Sequence, residues 1–297
     1  MTIGRRTGII ARRHHAGVRT MTHPVLDSRR AAVVTGAASG IGLAACLRFA
    51  SLGMPVCLID LSDAALKRVQ DQVAAKAPNG GKDVLCIAAD VSNAAEMAAA
   101  AATVHDQFGP VGVLMNNAVT RTGGGVWADP ADWHKALEVN FWGVLNGVNA
   151  FAPPMIERSE PAMIVNCGSK QGITNPPGNV AYNVTKSALK TYTEALQHEL
   201  RNTDGCRVSA HLLVPGWTTT GDRAPAAGAW SADQVVDHMI SALRRDDFYI
   251  VCPDNEVTPE MDRTRILWAA GDITENRPPL SRWHPDYRDA FAAFKLE

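Results

Sequence analysis

Residues 181–186 read A-Y-N-V-T-K, at the start of a segment whose apolar spacing predicts a helix over 180–202. Tyr182 and Lys186 are four positions apart, so a helix stacks them on one face, one turn from each other. A free phenol ionises at about pH 10, too high for a base at neutral pH, and an ammonium at close range favours the phenolate. The pair is therefore either solvated surface decoration or a tyrosine tuned to move a proton. An isolated Y-x-x-x-K is more often the former, so other residues must decide.

The stretch T-G-A-A-S-G-I-G, residues 35–42, joins a predicted strand to a predicted helix. In that setting Gly36 permits a tight turn, Gly40 lets backbone approach a pyrophosphate, and Gly42 lets the helix pack closely. The phosphates then meet the free N–H groups and positive dipole end of the helix. A glycine triplet alone says little; the strand before it and the helix after it make it specific. Asp60 ends the next predicted strand, 18 residues beyond Gly42. A carboxylate there accepts both hydroxyls of an adenosine ribose and repels a 2′-phosphate. No basic residue occupies 37–39 or falls between Asp60 and Lys67, so the expected cofactor is NAD rather than NADP.

The 297 residues are 46% hydrophobic and 20% charged, an ordinary balance for a globular enzyme with one large core. No apolar run reaches the ~18 residues needed to span a bilayer, so no membrane partner is expected. Residues 1–30 hold seven arginines and one acid, Asp27, which is +6; the remaining residues hold 22 bases and 29 acids, which is −7. A mildly acidic body lacks the clustered positive charge of a nucleic-acid groove. The Arg-rich, acid-poor N-terminal stretch has the composition of a transit peptide but no secretory apolar core, and is read as a flexible extension. The six cysteines form no C-x-x-C pair and lie mostly in apolar segments, as free thiols do in a reducing, cytoplasmic setting. H-E-L-R-N at 198–202 lacks the second histidine of H-E-x-x-H, and no metal site is expected.

Positioning these residues requires a frame, and the chain alternates short β-rich runs with longer amphipathic ones. Strands are predicted at 31–35, 56–60, 84–89, 113–116, 163–167, 208–214 and 248–252. Helices are predicted at about 40–53, 63–77, 93–108, 130–156, 180–202 and 231–244. Near-continuous apolar strands imply burial on both faces, hence a parallel sheet covered by helices. Seven strands fall short of the eight units of a barrel. The expected fold is therefore α/β: a doubly wound, seven-stranded parallel sheet of the Rossmann type, in one domain spanning 31–253. The basic segment 1–30 precedes it, and a C-terminal extension, 254–297, follows with a helix near 258–270 and Trp268, Trp283 and Tyr287. That extension reads as a flap on its own subunit, a lid, or a subunit contact.

Together, T-G-x-x-x-G-x-G, N-N-A at 116–118, Asn140, Ser169, Y-N-V-T-K and P-G at 215–216 resemble the short-chain dehydrogenase/reductase family over about 31–253. Ser169, thirteen residues before Tyr182, has the matching spacing. The resemblance implies that Tyr182 is the general acid/base and that Lys186 holds the nicotinamide ribose and favours the phenolate. It implies that Ser169 hydrogen-bonds the substrate oxygen and that Asn140 anchors a water-mediated proton path. Cofactor contacts are implied for Gly36, Ser39, Gly40, Ile41, Gly42 and Asp60. Asp90 and Val91 would flank the adenine, Asn117 the adenosine side, and Pro215, Gly216 and Thr218 the carboxamide. The family's usual paired serine is here Gly168–Ser169, which leaves one hydroxyl.

The implied activity is an NAD-dependent hydride transfer between the cofactor and a secondary alcohol or ketone. A protein that senses NAD(H) without turnover is the alternative, and the intact set Asn140, Ser169, Tyr182 and Lys186 argues against it. A lyase or epimerase would need a larger substrate region. Substrate walls are expected beyond the carboxyl ends of the strands, from 119–127, 171–178 and 217–230. Trp127, Gln171 and Trp217 are the candidate substrate contacts, with Asn175 and Trp230 in the same loops. The tryptophans point to an apolar or aromatic small molecule; Arg121 reads either as an anion contact or as a solvated side chain. By resemblance, a homodimer or homotetramer is expected through the helices near 130–156 and 180–202.

Overall fold

In the computed structural model, which describes residues 23–221 and 223–294, the strands are used on both faces. Along β1 (Ala31–Thr35), Ala32 and Val34 enter one hydrophobic cluster and Val33 the other. Along β2 (Val56–Asp60), Val56 and Leu58 oppose Cys57 and Ile59 in the same way. The remaining strands are β3 (Val84–Ala88), β4 (Val111–Asn116), β5 (Ala162–Cys167), β6 (Val208–Val214) and β7 (Tyr249–Val251). They form one sheet in the order β3-β2-β1-β4-β5-β6-β7, with every neighbouring pair parallel. The order reverses between β1 and β4, which opens a crevice at their carboxyl ends.

Helices α1 (Gly40–Ser51), α2 (Asp63–Ala74) and α8 (Ala232–Leu243) supply the cluster on one face. Helices α3 (Ala94–Phe108), α5 (Gly143–Glu157) and α7 (Val180–Asn202) supply the other. The predicted helix over 130–156 is built in three parts: α4 (Pro130–Leu137), a π-helical turn at Glu138–Trp142, and α5. A short helix, α6 (Gln171–Thr174), lies in what the sequence presents as a loop. Its four residues are too few to show periodicity.

Of the basic segment 1–30, residues 1–22 lie outside the described residues. Residues 23–30 belong to the fold: Val25 and Leu26 are buried with α1 and α8, and Asp27 pairs with Arg244 at 3.1 Å. Burying two such side chains is worth about 1.5–3 kcal/mol each. The C-terminal extension contains α9 (Pro259–Thr274) and α10 (Arg288–Ala293), which is longer at its first helix than the predicted 258–270. It has a small core of its own. Trp268 is buried, donates from Nε1 to Ser281 Oγ at 2.8 Å, and meets the edges of Phe291 and Phe294. The Arg277 guanidinium lies 4.0 Å from the Trp268 ring centroid. α9 is tied to the sheet domain by Asp262, 2.6 Å from Lys170 beside α6.

Candidate active site

At the end of β1, Gly36 and Gly40 have φ values of +63° and +54°, in the left-handed region that glycine tolerates. A Cβ on Gly36 would come 2.8 Å from Ala118 Cα, and one on Gly42 would overlap the Gly36 carbonyl. Only glycines let the turn, the end of β4 and α1 meet this closely. The start of α1 is also left open. Ser62, Asn93, Asp129, Ser231 and Thr258 cap α2, α3, α4, α8 and α9 with their side chains, whereas Ser39 makes no cap bond to α1. No acid lies in the first turn of α1. Free N–H groups and a positive dipole end are what a pyrophosphate binds, so the turn fits a dinucleotide.

Asp60 stands at the next strand end and accepts from Ala38 N–H at 3.0 Å, which fixes its carboxylate against the glycine turn. Asn117 turns inward: its amide donates to the carbonyls of Thr35 (3.0 Å) and Gly36 (3.2 Å), while Thr35 Oγ1 accepts from the N–H groups of Asn117 and Ala118. Asn117 thus shapes the turn as well as lining the crevice.

Asn140 is fully buried in the π-helical turn. Its Oδ1 accepts from Thr120 N–H at 2.7 Å, and its Nδ2 donates to Thr120 O at 3.0 Å and Thr185 Oγ1 at 3.2 Å. Thr185 in turn donates to the Tyr182 carbonyl at 2.8 Å. One amide therefore clamps the loop after β4 and reaches the turn of α7 that carries the phenol. Such π-turns inside helices recur at functional sites. Behind it a buried chain runs from Asn116 to Asn166 (2.9 Å) to Thr193 (3.1 Å), fixing α7 on β4 and β5.

Tyr182 and Lys186 are both buried, at 8% and 3% exposure, and Lys186 Nζ lies 5.7 Å from the Tyr182 ring centroid. The ammonium donates to the Cys167 carbonyl at 2.6 Å, and no carboxylate neutralises it among the described residues. A sheltered cation without a counter-ion acts strongly on what lies beside it. Burial pushes the Cys167 thiol above its ordinary range, against the opposing pull of Lys186 and Arg121. Ser169 accepts from Gln171 N–H at 3.1 Å at the start of α6 and keeps its own proton for another partner.

One crevice of about 600 Å³ brings these residues together. Gly36, Ser39, Gly40, Ile41, Asp60, Asp90, Val91 and Asn117 line it toward β1–β3; Ser169, Tyr182, Lys186, Pro215, Gly216 and Thr218 line the rest. Gly42 and Asn140 stand behind the lining and act through packing and hydrogen bonds. A second cavity of about 260 Å³ adjoins Tyr182, lined also by Arg121, Thr122, Gly123, Gln171 and Asn179. Of the expected substrate contacts, Gln171 lies there. Trp127 and Trp217 line neither cavity and are 96% and 51% exposed. Trp127 rides on the glycine-rich loop after Gly123, and Trp217, whose backbone N–H donates to Asp254 at 3.0 Å, lays its ring against Gly228. Trp230 packs its edge on His238, and Asn175 Oδ1 accepts from Ser187 Oγ at 3.0 Å. Sequence reasoning missed Lys135 and Val139, which face the crevice from α4 and its junction, and Thr220 and Arg223 from the loop after β6. The four-residue spacing of the α4 pair was the available signal.

A family profile described as short chain dehydrogenase matches residues 30–228. The chain is 32% identical over 265 residues to 1-deoxy-11-beta-hydroxypentalenate dehydrogenase of Streptomyces exfoliatus, covering 86% of this chain and 94% of that protein. It is similar to the crystal structure of a short chain dehydrogenase/reductase from Burkholderia phymatum in complex with NAD, at 33% identity and TM-score 0.76, over 84% of this chain and 96% of that one. A metagenomic short-chain oxidoreductase in complex with NADP is similar at 28% identity and TM-score 0.63, over 75% and 96% of the two chains. The open glycine turn, the clamped asparagine and the buried Tyr–Lys pair thus have their explanation in descent: this chain belongs to the short-chain dehydrogenase/reductase family of oxidoreductases.

Proposed function

We propose that the protein is an NAD-dependent dehydrogenase or reductase that moves a hydride between the cofactor and a secondary alcohol or its ketone. The observation that carries this reading is a single crevice with Asp60 at one end and Ser169, Tyr182 and Lys186 at the other. The bound nicotinamide supplies the hydride acceptor or donor. In oxidation, Ser169 would hold the substrate oxygen and Tyr182 would take the hydroxyl proton as the carbinol carbon gives up its hydrogen with the bonding pair, for which a bound nicotinamide would be the acceptor. In reduction, the phenol returns the proton to the oxygen. Lys186 stabilises the phenolate and carries the ribose hydroxyls, and Asn140 keeps the loop and α7 in register around them. Asp60 favours an unphosphorylated ribose, hence NAD over NADP.

The relative from Streptomyces is named for oxidising a hydroxylated small molecule, which agrees with this reaction class. Exposed Trp142 and Val184, on the π-turn and α7, suit a contact between two or four copies of the chain. Six unpaired cysteines suit a reducing cytoplasm. Among the described residues no helix is long and apolar enough to cross a membrane.

An NADH-absorbance screen over secondary alcohols and ketones tests the reading, with Tyr182→Phe alongside. The expected result is turnover with NAD that falls about 10²–10⁴-fold in the variant, because it loses its proton-transfer group. NADH binding should be retained. Tight NADH binding with no turnover on any panel member would instead favour a dinucleotide sensor.

A further inference from the structure

The second cavity carries a charge that hydride transfer does not require. Arg121 lines both cavities, and its Cζ sits 5.6 Å from the Tyr182 ring centroid. Its position is built: the residue before it, Thr120, has both its N–H and its carbonyl clamped by the buried Asn140 amide. Stacking on the phenol ring then steers the guanidinium. Among the described residues no acidic side chain lines the second cavity, and the acids lining the main crevice, Asp60 and Asp90, stand at its adenosine end. Among the described residues Arg121 makes no ion pair or hydrogen bond. Around it Thr122 Oγ1 and Gln171 Oε1 are buried without hydrogen-bond partners. An exposed guanidinium resting over the phenol ring, two orphaned polar atoms and no counter-ion among the described residues, all beside the acid/base group, describe a pocket finished by its ligand.

We propose that this cavity is an anion subsite and that the substrate is a small hydroxy or keto acid, its carboxylate on Arg121 while its carbinol or carbonyl oxygen meets Ser169 and Tyr182. The planar fork of arginine matches a carboxylate with two parallel N–H···O bonds, which a lysine cannot reproduce. Thr122 and Gln171 take polar groups beside it. The cavity, at about 260 Å³, is smaller than sites for drug-sized ligands, which sets the size of the acid. This inference rests on the hydride-transfer reading and names the substrate class of the same site.

The test compares 3-hydroxybutanoate and 3-hydroxyhexanoate with their primary amides, with NAD, in the wild type, Arg121→Gln and Arg121→Lys. In parallel, butanoate and butanamide are titrated calorimetrically into the NADH-loaded protein. The wild type should favour acid over amide, and Arg121→Gln should lower the acid-to-amide ratio of kcat/KM about 10- to 100-fold, with the loss in KM. Arg121→Lys should recover part of it. Equal losses for acid and amide would overturn the proposal and move the role of Arg121 to Tyr182 or the cofactor. Turnover of amides in preference to acids would overturn it while leaving the dehydrogenase reading intact. Arg121-dependent butanoate binding without hydride transfer from any panel member would keep the anion subsite and overturn the assignment of these acids as substrates. Failure of every acid to bind or react would overturn it as well.

Discussion

At the scale of single residues, charge is distributed unevenly and with consequence. Lys186 is a buried cation answered, among the described residues, by the Cys167 carbonyl, and Arg121 is a second cation over the same phenol. The opposite end of the crevice holds the two carboxylates, Asp60 and Asp90. Asp60 accepts from Ala38 N–H, shaping the glycine turn, and in the proposed reading it also presents negative charge where a ribose phosphate would sit; a substitution can separate the two. Asp60→Asn keeps an acceptor and removes the charge. The NAD-to-NADP ratio of kcat/KM should then fall about 10- to 100-fold, the worth of about 1.5–3 kcal/mol for a charged hydrogen bond lost on one side and a repulsion relieved on the other. Steady-state kinetics with both cofactors measures it; an unchanged ratio would remove Asp60 from cofactor selection. Much of this chemistry was legible beforehand because it is local. The glycine turn, Asp60 and Tyr182–Lys186 are each defined by spacings within one strand–turn–helix unit. For Arg121 the sequence left an anion contact and a solvated side chain both open, since the choice depends on Tyr182, 61 residues away in the chain, and on the described residues around a cavity that only the fold creates.

Between elements, the junction that reaches the site is at Lys170. Lys170 follows Ser169, and its ammonium lies 2.6 Å from Asp262 on α9 and 3.5 Å from Asp254 after β7. Asp254 also accepts from Trp217 N–H at 3.0 Å and Val257 N–H at 2.8 Å. One lysine thus ties the serine loop, the loop after β6 and the C-terminal extension, which explains what the extension adds to the site. Burial pushes the Asp262 carboxyl above its usual range, against the pull of Lys170, so the acid leans on that lysine for its charge. Lys170→Met leaves two nearly buried carboxylates uncompensated and should cost about 3 kcal/mol of stability. Because Gly216 and Trp217 sit on the released loop, KM for both cofactor and substrate should rise more than kcat falls. Urea melts and initial-rate kinetics check the two halves; a stable variant with normal KM would make the junction ornamental. Sequence patterns saw 254–297 as a break in rhythm but not this bond, because Lys170 and Asp262 stand 92 positions apart. Likewise the π-turn at 138–142 hid inside an apparently continuous helix: it changes backbone hydrogen bonding without changing the apolar period enough to read.

For the whole molecule, the doubly wound sheet was the most legible feature, since strand alternation and both hydrophobic faces are written into residues such as Val33 and Val34. The edge where the chain begins was less so. Residues 23–30, read with the basic extension, instead pack against the start of β4 and pair with Arg244 at the end of α8, close to His211. There His211 is almost fully buried: its Nδ1 lies 3.0 Å from the Asp247 carbonyl and its Nε2 lies 2.8 Å from Ser209 Oγ. A carbonyl only accepts, so Nδ1 carries the proton and Nε2 accepts from the serine, which satisfies a neutral ring completely. Burial lowers the affinity of His211 for a second proton below its ordinary value of 6.5, and burial with the nearby Arg244 does the same to His23. Below that value the unfolded chain binds more protons than the folded one, so this junction's stability is present at neutral pH and is lost as pH falls through the depressed folded values. Asp27, held low chiefly by its bond to Arg244, acts in the same direction but only below its ordinary value of 3.8. The two windows are therefore separable. Thermal melts should show Tm rising between about pH 5 and pH 7, and His211→Asn should flatten that rise while lowering Tm at neutral pH. A slope unaffected by the substitution would mean that other groups carry the acid sensitivity and that the junction stays closed when its histidine is charged.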